Sequence, residues 1–150
     1  MDSQFTEEAP LEAEAATVPT RSFPRILLVD DEPVVLMVTA SILHRSSFAV
    51  TQVRSGEEAL DKLQLESFDL VVTDYRMAGK SGADVAIAAR NASPATPVVL
   101  MTGRIDDVPD WMRRGNLALP IVRKPFLMTE LLQVVNRAMR PRKSDQQASR

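Results

Sequence analysis

The 150-residue chain has no cysteine, so a disulfide framework and a thiolate metal site are both excluded and its interior must be held by packing alone. It has one histidine, His44, which reads as a helix-end surface residue rather than a ligand because no second imidazole stands near it. No apolar run approaches the roughly twenty residues of a membrane span. The N-terminus carries Asp2, Glu7 and Glu8 where a secretory signal would be basic. A formal charge of -2 provides no global field for nucleic acid. These absences predict a soluble cytoplasmic protein with no direct contact to nucleic acid or membrane.

Positive charge is missing from residues 1–20, which hold Asp2, Glu7, Glu8, Glu12 and Glu14, while Arg137, Arg140, Arg142, Lys143 and Arg150 gather at the other end. Low apolar periodicity with Pro10 and Pro19 at one end, and Pro141 followed by a polar run at the other, predicts disordered tails over 1–23 and 141–150. Between them, 24–140 is long and apolar enough for one domain with one core.

Within that span short β-branched runs alternate with longer amphipathic stretches, the pattern of a parallel sheet covered by helices on both faces. Five strands are predicted near 25–30, 48–53, 69–74, 97–102 and 119–123, the second least apolar and therefore a candidate edge. Five helices are predicted between and after them. Pro33 suits the opening turn of the first. Ser55 and Glu58 form a capping box at the second. The third occupies 82–91, and Pro109 limits the fourth to a short piece at 109–114. Leu127, Leu131, Leu132, Val134, Val135 and Ala138 give the last an apolar stripe.

In an open parallel α/β sheet, ligands bind outside the carboxyl ends of the strands. Four strand ends here carry Asp30 with Asp31, Asp74, Thr102 and Lys124. Taken singly, Asp30 reads equally as a helix cap, Asp74 as a turn residue and Thr102 as a strand residue. Taken together, three acids in one crevice would repel and raise their own pKa values unless a cation is meant to arrive.

The segments ILLVDDEP, VVTDYRMAGKSG, VVLMTG and VRKPF, in this order, resemble the receiver domain of two-component response regulators, over about 24–140. The resemblance implies a flavodoxin-like, doubly wound five-stranded parallel sheet in the order 2-1-3-4-5. It implies that Asp74 accepts a phosphoryl group from a sensor histidine kinase or histidine phosphotransfer protein. Asp30, Asp31, Asp74 and the main-chain carbonyl of Arg76 would hold Mg²⁺, which is hard, octahedral and suited to oxygen ligands. Lys124 would pair with the phosphoryl oxygens and Thr102 would hydrogen-bond to them after transfer. Such a chain is a phosphoacceptor rather than an enzyme, with self-catalysed phosphorylation and dephosphorylation. It would signal through protein contacts as a stand-alone receiver; the alternatives are a phosphate sink or a receiver fragment of a hybrid kinase.

Some positions depart from the family pattern. Ile121 stands where receivers usually carry Tyr or Phe, which puts in doubt the ring movement that follows phosphorylation. Arg76 and Arg104, two residues beyond Asp74 and Thr102, are expected to lean over the phosphoryl site. Ala78 replaces a frequent proline, and Leu127 a frequent capping residue. A haloacid-dehalogenase-like phosphatase would need a second aspartate two residues past its nucleophile, where this chain has Glu32 or Arg76. A flavin carrier would need a phosphate-cradling loop after the first strand, where three acids stand instead.

Overall fold

A computed structural model describes residues 22–140, so the predicted tails lie outside the described residues except for Ser22 and Phe23. Five strands, β1 (Arg25–Val29), β2 (Ala49–Val53), β3 (Leu70–Asp74), β4 (Val98–Thr102) and β5 (Ile121–Arg123), form one parallel sheet in the order β2-β1-β3-β4-β5. This is the doubly wound order expected, with β2 at an edge. The fifth strand is two residues shorter than predicted. Its start lies after Pro120, which accepts from Leu100 N–H (2.9 Å) but has no N–H to donate.

The helices are α1 (Pro33–Arg45), α2 (Gly56–Leu65), α3 (Gly82–Ala92), the single turn α4 (Asp110–Arg113) and α5 (Met128–Ala138), with a 3₁₀ turn at Ile105–Asp107. Strand residues alternate between two apolar layers. Ile26, Leu28, Leu70, Val72, Val99, Met101 and Val122 pack against Leu36, Ala40 and Leu43 of α1 and Leu131 and Val135 of α5. Leu27, Val29, Val71, Val98 and Leu100 face the other way, toward Ala59 and Leu63 of α2, Val85, Ala86 and Ala89 of α3, and Met112 of α4. No helix among the described residues is long and apolar enough to cross a membrane.

Local details depart from expectation in instructive ways. Ser55 Oγ accepts from Glu58 N–H (3.1 Å) as predicted, but the Glu58 carboxylate reaches past Ser55 to accept from Arg54 N–H (2.7 Å). Leu127 does not join the apolar stripe of α5; it precedes the helix and is 67% exposed. Glu130 accepts from Leu127 N–H (2.8 Å), half of a reciprocal cap whose other half leucine cannot supply. His44 is exposed at the end of α1.

Gly82 opens α3 directly against the end of β3. A Cβ added there would lie 2.5 Å from the Asp74 carbonyl oxygen and 2.7 Å from Tyr75 Cα, backbone atoms with little room to yield. Gly82→Ala is therefore expected to destabilise the fold by about 1–3 kcal/mol, read as a lowered Tm. An unchanged Tm would show that β3 and α3 separate easily.

Candidate acidic centre at the strand ends

The predicted residues all lie at the carboxyl edge of the sheet. Asp30 and Asp31 directly follow β1, Asp74 ends β3, Thr102 ends β4, and Lys124 directly follows β5. Asp30, Asp31 and Asp74 each offer a carboxylate oxygen, and these oxygens lie within 4.8 Å of one another. Asp30 is completely buried and Asp74 nearly so.

Lys124 Nζ stands among the acids, 2.8 Å from Asp30 Oδ2, 3.3 Å from Asp74 Oδ1 and 3.3 Å from Glu32 Oε1. Glu32 was not among the residues singled out from sequence. Its place two residues past Asp30, before a proline-led helix, was the available signal. Asp30 Oδ1 also accepts from Glu32 N–H (3.0 Å), so Asp30 braces a turn instead of capping α1, whose N-cap is Glu32, and its other oxygen is left to the lysine. Asp31 Oδ2 accepts weakly from Ala78 N–H (3.4 Å), linking the loops after β1 and β3. Lys124 precedes Pro125 through a cis peptide bond.

Thr102 Oγ1 turns toward its own loop, accepting from Arg104 N–H (3.0 Å) and donating to Arg104 carbonyl oxygen (3.1 Å). Arg76 and Arg104 do not stand free above the acids. Their guanidinium groups converge on Asp107 Oδ2, at 3.5 Å from Arg76 and 3.8 Å from Arg104. Asp107 is the second residue that sequence reading missed, although an acid three positions after Arg104 was in view.

Three carboxylates, Asp30, Glu32 and Asp74, thus share a single ammonium, with Asp31 beside Asp30 and Asp74. Burial, then the charge of Asp30, push the Asp74 carboxyl up to about 6, against the opposing pull of Lys124. Burial alone would lower Lys124, but its hydrogen bond to Asp30 and the charge of Asp74 outweigh this and raise it. The folded chain therefore binds the Asp74 proton more tightly than the unfolded chain. Its contribution to stability is complete below the ordinary value of 3.8 and is lost as pH rises through about 6. Without metal, Asp74→Asn should stabilise the fold by on the order of 2–3 kcal/mol near pH 8 and by little near pH 4. Denaturant midpoints at the two pH values check this; an equal gain at both would contradict it.

Comparison with known proteins agrees with this geometry. Residues 26–136 match the family described as response regulator receiver domain. Among curated proteins, the chain is 34% identical over 116 residues to the uncharacterized transcriptional regulatory protein YkoG of Bacillus subtilis, covering 77% of this chain and 50% of that protein. It is 35% identical over 117 residues to the transcriptional activator protein IrlR of Burkholderia pseudomallei, again covering 77% and 50%. The chain thus spans about half the length of these relatives. A receiver protein from Sinorhizobium medicae superposes with TM-score 0.71 at 34% identity, covering 78% of this chain and 94% of that one. The response regulator TrrA of Thermotoga maritima, solved in complex with Mg²⁺ and BeF, gives TM-score 0.68 at 31% identity, covering 77% and 99%. With its sheet order, its strand-end acids and this match over most of its length, the chain belongs to the response regulator receiver domain family.

Proposed function

We propose that the chain accepts a phosphoryl group on Asp74, supplied by a sensor histidine kinase or histidine phosphotransfer protein, and passes the signal on through protein contacts. The observation that carries this reading is the convergence of three carboxylate oxygens within 4.8 Å beside one lysine. Such a cluster suits a hard divalent cation, because its acids outnumber its single ammonium and all its side-chain donors are oxygens. Asp30, Asp31 and Asp74 would hold Mg²⁺, with the Arg76 carbonyl as a further ligand. When bound, Mg²⁺ neutralises charge between the acceptor and the phosphoryl oxygens. The complex of TrrA with Mg²⁺ and BeF supports this choice of metal.

The chain's own groups have defined tasks in this reading. Asp74 supplies the nucleophilic oxygen, and the burial and neighbouring Asp30 charge that raise its proton affinity also make its lone pair more basic. Lys124, now divided among three carboxylates, turns an N–H toward the phosphoryl oxygens and screens them from Asp30. Thr102 must leave the Arg104 carbonyl before its hydroxyl can donate to the phosphoryl group. Phosphorylation therefore carries a structural consequence in the loop after β4.

Incubation with a small phosphodonor and Mg²⁺, followed by intact mass measurement, tests the reading. The wild type is expected to gain one phosphoryl group and Asp74→Asn none; an equal gain in Asp74→Asn would refute the assignment. Lys124→Ala should slow uptake by roughly 10²–10³-fold, since it removes the one fixed cation aimed at the transferring group.

A further inference from the structure

Arg76 follows the proposed acceptor by two residues on the loop after β3, and Arg104 follows Thr102 by two on the loop after β4. These loops are neighbours, because β3 pairs with β4 and Tyr75 N–H donates to Met101 carbonyl oxygen (2.8 Å). Asp107 joins their two guanidinium groups through a single oxygen. It closes the 3₁₀ turn, its N–H donating to the Arg104 carbonyl (3.1 Å). That same carbonyl accepts from the Thr102 hydroxyl. One short segment, 102–107, therefore holds the threonine and both arginines.

We infer that Asp107 is a positioning residue that retains Arg76 and Arg104 in the unphosphorylated chain and yields them to the phosphoryl group on Asp74. This rests on the reading of Asp74 as phosphoacceptor and deepens it. The contacts are loose enough to exchange. Both arginine side chains are more than 70% exposed, and each pair is separated beyond ordinary hydrogen-bond length. A phosphoryl group offers guanidinium two negative charges and several acceptor oxygens, against one carboxylate oxygen shared by two arginines. The exchange strips Asp107 of both partners while Thr102 leaves the Arg104 carbonyl. Both events act on 102–107, so this segment responds to the site without needing an aromatic ring at position 121. Once on the phosphoryl oxygens, the guanidinium groups cover the approach of water.

The test uses phosphoramidate and Mg²⁺ with the full chain. The phosphorus–nitrogen bond breaks, an Asp74 oxygen–phosphorus bond forms, and protonated nitrogen departs as ammonia. Loss of the group is the attack of water on phosphorus, returning the Asp74 carboxylate and inorganic phosphate. Asp107→Asn, which frees the arginines from the outset, is expected to speed uptake and lengthen the phosphorylated lifetime, each about three- to tenfold. Asp107→Glu should restore wild-type rates. In an Arg76→Ala/Arg104→Ala background, Asp107→Asn should have no effect on either rate, since it acts only through the arginines. Its Tm should match the wild type. Unchanged rates in Asp107→Asn, or an effect that persists without the arginines, would overturn the inference while Asp74 remains the acceptor. A wild type that takes up no phosphoryl group, or an Asp74→Asn that does, would remove both readings.

Discussion

The structure depends on forcing like charges together at the carboxyl edge of a parallel sheet. Two aspartates after β1 and one at the end of β3 are brought within a few ångströms by adjacent strands, not by local turns. Left alone they would repel strongly in a poorly solvated crevice. Lys124 is delivered from 94 residues beyond Asp30 by the fifth strand and partly offsets that repulsion. The remaining imbalance is a tension held by the packing of two apolar layers. In the function proposed, this imbalance is what a cation, and the group that accompanies it, would relieve.

Much of this was legible in the sequence because it depends on strand-scale patterns. Apolar runs closed by Asp30, Asp74, Thr102 and Lys124 declared both the strands and the edge at which those residues would meet. The alternation of short apolar runs with amphipathic stretches foretold helices on both faces of the sheet, and Pro109 foretold the reduced α4. What escaped notice depends on individual side-chain torsions. Lys124 had three acids within reach, and only coordinates show Glu32 as its third partner. Arg76 and Arg104 looked free because the carboxylate that engages them sits in a turn without apolar periodicity. Leu127 fitted the i, i+4 spacing with Leu131, yet helix geometry begins one residue later and leaves it in solvent.

The connection from β4 to β5 shows how a reduced helix still serves the site. α4 is a single turn, but Val108, Met112 and Leu119 are buried beneath it, and Leu119 N–H donates to the Met112 carbonyl (2.8 Å). This apolar anchor fixes the far end of the segment, while Gly103, Arg104 and Asp106 are exposed and Ile105 and Asp107 half-buried beside the acidic edge. Ile121 is half-buried against the same layer, where a branched aliphatic fills space without a ring to swing. The part of this region free to change is therefore the polar turn and its ion pairs rather than the apolar base.

The central claim is that the three aspartates form a cation-dependent seat for a phosphoryl group. A crystal structure of the chain soaked with Mg²⁺ and beryllofluoride tests it most directly. The account predicts Mg²⁺ ligated by Asp30, Asp31 and Asp74, beryllofluoride on Asp74, and Lys124 Nζ turned from Asp30 toward fluorine. Beryllofluoride bound elsewhere, or a magnesium-free cleft with Lys124 still on Asp30, would contradict it.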